Sequence, residues 1–122
     1  MRKMKITTHD EIVAILATAS YGSTLFGFYA SKDDFKNEKY RTDNDCREDI
    51  WARILLDGKS IIVYDVEEDE EHLLDLKKLN KGLKKLAEKY PRDWADYRLE
   101  EDDQTTMENL VQCAIFGDAI YG

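Results

Sequence analysis

Ile12, Ile15, Leu16 and Ala19 recur at three- and four-residue steps, which places them on one face of a helix. Thr8 and Glu11 precede the stripe as Thr-x-x-Glu, a capping box, and Gly22 is placed to stop it. The pattern predicts a helix over residues 8–20. The period then changes to two. In "STLFGFYA", residues 23–30, Thr24, Phe26 and Phe28 alternate with Leu25, Gly27 and Tyr29, and the aromatics favour a strand. Gly27 within it predicts a bulge or a close backbone approach.

Residues 31–44 are charged and carry no period, which predicts a surface loop anchored by Phe35 and Tyr40. Asp45 and Glu48 resemble a second capping box. Cys46, Ile50, Trp51, Ile54 and Leu55 then form a helical stripe that Gly58 ends. Trp51 on that stripe is expected to be buried against the following strand. "SIIVYDV", residues 60–66, is β-branched and apolar on both faces, the signature of a central strand. Residues 71–75 are expected to return beside it, with His72 and Leu74 on one face and Leu73 on the other.

Leu76, Leu79, Leu83, Leu86 and Tyr90 follow helical spacing up to Pro91. Gly82 interrupts that helix at a cost of about 1 kcal/mol relative to Ala, so close packing is expected there. "PRDWADYRL" predicts a short helix carrying Trp94 and Tyr97. Thr105 and Glu108 resemble a third capping box, and Met107, Leu110, Val111, Cys113, Ala114 and Phe116 surround most of the helix that Gly117 closes. The order of elements predicts an α+β fold: a small antiparallel sheet of about three strands covered by four to five helices. Residues 1–122 read as a single compact domain, since no linker or repeat divides them.

Composition narrows the class. The hydrophobic fraction is 43%, and two Trp, seven Tyr and four Phe can fill a core without staples. No apolar run approaches the ~20 residues of a membrane span. His9, Asp10 and Glu11 interrupt the start, which argues against a signal peptide. Cys46 and Cys113 lie far apart in helical stripes and read as buried free thiols, which points to the cytoplasm.

The net charge of −8 is unevenly spread. Residues 60–72 hold six carboxylates and no Lys or Arg, and so do residues 100–122. Residues 73–99 reverse the sign, with eight Lys and Arg against four Asp and Glu. Direct nucleic-acid binding is disfavoured over most of such a surface, and a basic protein surface is the expected partner.

Two stretches carry candidate chemistry. In the run Glu67, Glu68, Asp69, Glu70 and Glu71, the alternate acids Asp65, Glu67, Asp69 and Glu71 are spaced as the early ligands of a calcium loop are. The sixth and twelfth positions of such a loop demand Gly and a bidentate acid, and Glu70 and Leu76 stand there instead. A solvated hairpin turn is the plain reading. Glu100, Glu101, Asp102 and Asp103 form the second acidic stretch, in a polar neighbourhood that does not suggest buried acid–base work. His72 beside carboxylates favours the protonated state, which is wrong for a general base. The spacing of Cys46, Cys113, His9 and His72 matches no zinc pattern, and no Gly-rich phosphate loop is present. Neither a catalytic residue, nor a metal ligand, nor a cofactor is therefore assigned. Lys77, Lys78, Lys81, Lys84, Lys85 and Lys89 line the outer side of one helix, as a solvated face or as a face for an acidic partner.

"MENLVQCAIFGDAIYG", "EKYRTDNDCREDIW" and "YDVEEDEEHLLDL" together resemble small uncharacterised acidic proteins carried by conjugative elements and prophages of gut Firmicutes. The resemblance implies no activity and no site residues. It implies a context in which accessory proteins bind or inhibit host machinery.

The expectation is a non-enzymatic acidic binding module. In its sharpest form it is an inhibitor that mimics nucleic acid and blocks a basic groove on a host-defence protein, with Glu67–Glu71 and Glu100–Asp103 as its patches. Mimicry requires the two patches to share one face. One alternative is a small enzyme using clustered carboxylates, with or without a divalent metal. Another is a structural or oligomer-forming subunit with an apolar patch around Trp94, Tyr97 and Tyr121.

Overall fold

The computed structural model describes residues 1–42 and 45–121. Three strands, β1 (Phe26–Tyr29), β2 (Ile61–Asp65) and β3 (Glu70–Leu74), form an antiparallel sheet in the order β1-β2-β3. Six α-helices accompany it: α1 (His9–Ser20), α2 (Lys32–Lys36), α3 (Arg47–Leu56), α4 (Leu76–Lys89), α5 (Pro91–Arg98) and α6 (Gln104–Phe116). This is the α+β fold that the pattern predicts.

The stripe Ile12, Ile15, Leu16 and Ala19 is wholly buried, and Thr8 caps α1 with Glu11 in the expected reciprocal box. One apolar cluster joins α1, α3, α4 and α6 to the inner face of the sheet. Phe26 and Phe28 of β1, Ile61 and Val63 of β2, and Leu74 of β3 supply that face. Asn80 of α4 ties in the segment before α1: its Oδ1 accepts the Ile6 N–H at 2.7 Å and its Nδ2 donates to the Ile6 carbonyl at 3.0 Å. Gly82 lies against α6. A Cβ there would stand 2.6 Å from the backbone nitrogen of Ala114 and 2.7 Å from its Cα. The glycine is therefore the contact that lets α4 and α6 approach.

Several expectations need correction. Residues 31–42 are not a plain loop, because Ser31 caps the single turns of α2 and Asn37 caps a 3₁₀ turn at Glu38–Tyr40. Tyr40 is the anchor and is buried, whereas Phe35 is exposed. Residues 43 and 44 of the expected loop lie outside the described residues. The second capping box is displaced by one residue: Asp49 accepts the Cys46 N–H at 3.2 Å. Asp45 is instead engaged by Thr42 and by Arg53 at 2.7 Å, and these hydrogen bonds, that of Arg53 foremost, hold its carboxyl far below the usual range. The third is displaced by two: Asp103 caps α6 with Thr106, and Glu108 accepts a hydrogen bond from the Ser23 hydroxyl.

Cys46 is exposed, because α3 begins only after it. Cys113 is buried as expected, and burial pushes its thiol up to about 11. Gly27 makes no bulge. It pairs directly with Tyr64, and an added Cβ would meet the Tyr64 Cβ at an ordinary 3.7 Å. β2 is central, yet only Ile61, Val63 and Asp65 are buried, while Ile62 and Tyr64 stay half-buried on an outer face. Trp51 is buried as expected, and its ring packs on Phe28 at 6.1 Å between centroids. Trp94, Tyr97 and Tyr121 do not form one patch. Tyr97 is buried beneath a stacked Trp94, and Tyr121 sits apart with Phe26 and Phe116.

Candidate functional site

The acidic run occupies the turn of the β2–β3 hairpin. Glu67, Glu68 and Asp69 are in the turn, Glu70 and Glu71 open β3, and all five are exposed. The turn is built on Asp65, which shares the buried face of β2 with Ile61 and Val63 and has no exposed surface. Its Oδ1 accepts the backbone N–H groups of Glu67 at 3.0 Å and of Glu68 at 3.2 Å. Its Oδ2 accepts the Tyr121 hydroxyl at 2.7 Å, which, with partial burial, holds that phenol well above its ordinary range. A buried carboxylate with three donors meets the demand that a buried charge be hydrogen-bonded.

The exit of the turn is fixed as well. Asp69 adopts the left-handed backbone at φ 53°, which Asp tolerates better than most residues, and accepts the Tyr64 hydroxyl. Among the described residues, Glu67 and Glu68 have no ion-pair partner. Glu70 approaches only His72, at 3.9 Å. Partial burial, together with the neighbouring Glu71, raises the Tyr29 phenol.

The second acidic stretch is less free. Asp102 is turned inward onto Arg2 and is only 8% exposed as a side chain. Asp103 accepts the Thr106 N–H at 2.9 Å, and this bond in the first turn of α6 lowers its carboxyl. Glu100 and Glu101 remain exposed. The connector between α1 and β1 links the two acidic stretches. Gln104 donates to the Tyr21 carbonyl at one end, and the Val66 N–H donates to the Leu25 carbonyl at 3.0 Å at the other. Four residue steps span at most about 14 Å. These bonds only bound the distance between the hairpin turn and the start of α6, and no described hydrogen bond or ion pair joins their carboxylates.

The remaining candidates fall elsewhere. His72 packs edge-on against Phe116 at 5.2 Å, and its Nε2 lacks a hydrogen-bond partner among the described residues. His9 Nε2 bonds Asp49 at 2.8 Å, a link between α1 and α3 that no sequence spacing announces. No hydrogen bond joins either histidine to a cysteine among the described residues, and no three His, Cys, Asp or Glu side chains there group as metal ligands. On α4, Lys78 donates to the Leu73 carbonyl and Lys89 to that of Gly117, while Lys77, Lys81 and Lys84 are exposed. No helix among the described residues is long and apolar enough to cross a membrane.

Pattern reading missed Asp65 and Tyr121 as the supports of the turn. The period-two phase of β2 held the signal for Asp65, since it falls in step with Ile61 and Val63. Tyr121 had none, being brought back to the sheet by Gln112, whose Oε1 accepts its N–H at 2.7 Å. Comparison of the chain with protein-family models, with curated proteins and with solved structures finds no match.

Proposed function

We propose that this protein is a non-enzymatic binding module that engages a basic protein surface through the β2–β3 hairpin. The observation that carries the reading is the anchoring of the turn by buried Asp65 beneath exposed Glu67 and Glu68. A merely solvated turn needs no buried carboxylate to order its amides. Ordering the acids before contact reduces the entropy lost on binding. In the sharper form of the proposal, the partner is a nucleic-acid-binding groove on a host-defence protein, and the carboxylates stand in for phosphates. Asp102 and Asp103 are engaged internally, so the hairpin supplies most of the free charge.

The test is one variant in which Glu67, Glu68, Glu70 and Glu71 become Gln. Its stability should stay within about 0.5 kcal/mol of the wild type, as for surface changes away from structural contacts. Capture from extracts of the native host, run side by side with the wild type across a salt series, should lose a basic protein. The salt dependence of whatever binding remains should flatten, because fewer charges steer the encounter. Equal capture by the two chains at every salt concentration overturns the reading.

A further inference from the structure

Asn80 holds the segment before α1 alongside α4 through its two hydrogen bonds to Ile6. Met4 and Lys5, which precede Ile6, thereby border a trough whose other side is α4. Its first half, of about 490 Å³, is lined by Lys5, Lys77, Lys81 and Lys84, and no carboxylate lines it, in a chain of net charge −8. The second half, of about 460 Å³, shares Lys5, Asn80 and Lys84 with the first and continues to Met4, Leu83, Ala87 and Trp94. Two carboxylates stand near and both are engaged. Glu88 on the rim of the second half lies 3.9 Å from Lys85, and Asp75 accepts the Lys78 N–H at 2.7 Å.

Folding does not account for these lysines. Lys77 and Lys81, and Lys81 and Lys84, stand one turn apart, where like charges destabilise a helix. Among the described residues, the ion pairs of α4 are those of Lys85 with Glu88 and of Lys89 with Asp118, and neither relieves them. Four ammonium groups around one hollow call for an anion of more than single charge. We infer that the trough binds a single-chain anionic amphiphile, an aliphatic body ending in a phosphate. A phosphate monoester carries a charge of about −1.5 to −2 and three acceptor oxygens, which suits the lysine half. The other half sets the body. Trp94 is already stacked on Tyr97 at 6.0 Å and carries the Arg98 guanidinium over its ring at 5.6 Å, so Met4, Leu83 and Ala87 give this half an aliphatic character. That disfavours a nucleotide, whose base seeks an open aromatic face. From Lys77 to Ala87 the helix rises about 15 Å, more than a bare phosphate can use. The acidic remainder of the chain repels an extended anionic surface, so the amphiphile is taken singly and not as part of a bilayer. The inference goes beyond the proposed function, since the hairpin takes no part in the trough.

Calorimetric titration of the full chain with butyl, hexyl and octyl phosphate, each below the concentration at which it forms micelles, decides it. Saturable binding of one ligand per chain is expected, stronger by up to about fourfold for each added CH₂ that the trough buries. Binding should weaken as salt rises. Octyl phosphate should also raise the midpoint of thermal unfolding, as a ligand of the native state does, whereas an amphiphile acting as a denaturant lowers it. Lys81→Gln combined with Lys84→Gln should weaken binding at least about tenfold, with an unchanged circular dichroism spectrum. Met4→Glu, at an exposed position, should weaken octyl phosphate more than butyl phosphate. Lys36→Gln, on α2, should change neither. Equal affinity for butyl and octyl phosphate overturns the inference. So does a lowered unfolding midpoint, or binding that the paired lysine variant leaves intact. Cosedimentation with phosphatidylglycerol vesicles in place of octyl phosphate binding also overturns it, because the face would then dock on a membrane.

Discussion

Trp51→Ala should lower the stability of this domain by about 3–5 kcal/mol, the usual cost of truncating a core aromatic. The indole is 1% exposed, packs on Phe28 and carries the Arg47 guanidinium over its ring at 5.4 Å. Removing it takes away the ring with which α3 packs on Phe28 of β1, at the wall of a cleft of about 480 Å³. That cleft already borders Phe28 and Trp51, so the void would open to water rather than close by repacking. Denaturant unfolding, with Trp94→Ala as a partner variant, is the measurement. Trp94 is only half-buried and should cost less. A loss below about 1 kcal/mol for Trp51→Ala would show that the indole does not hold the core.

Gly82→Ala should destabilise, although alanine is the better helix former by about 1 kcal/mol. At an open helical site the substitution would stabilise. Here the new Cβ would press on the backbone of Ala114, which cannot rotate away as a side chain can. α4 and α6 would have to separate, and overpacking of this kind costs typically about 1–3 kcal/mol. The sign of the change is therefore diagnostic. Unfolding of Gly82→Ala beside Lys81→Ala, an exposed control on the same helix, separates the two effects. A more stable Gly82→Ala would mean that the helices do not meet there.

These two sites show what the amino-acid sequence reveals. Gly82 was visible as an anomaly, because a glycine in a leucine-patterned helix has a cost that only packing offsets. The core stripes of α1, α3, α4 and α6 were legible for the same reason: period and burial are one signal. Helix starts were less legible. Thr8 caps α1 as its spacing suggests, yet of the residues that fit the same motif Asp45 is taken by Arg53, two turns into α3, and Glu108 by Ser23 from outside α6. A motif of two residues cannot register such distant competitors. Cys46 fell on the stripe of α3 and still ended exposed, since periodicity says nothing about where a helix begins.

The candidate site was legible as charge and not as structure. The run Glu67–Glu71 stood out in the sequence, but an acidic turn that is merely solvated has the same letters. What separates the two is Asp65 beneath it and Tyr121 arriving from the far end of the chain. Asp102 and Asp103 show the converse, since they look as free as Glu100 and Glu101 until Arg2 and the amides of α6 engage them.

The central claim is that the hairpin presents its acids from an ordered turn. Amide hydrogen exchange at Glu67 and Glu68 in the free protein tests it most directly. Both residues are exposed, so a loose turn would exchange at the rate of an unstructured chain. Hydrogen bonds to an ionised carboxylate are worth about 1.5–3 kcal/mol, which predicts roughly ten- to hundredfold slower exchange at both amides, lost in Asp65→Ala. Exchange of Glu67 and Glu68 at the unstructured rate in the wild type would contradict the account.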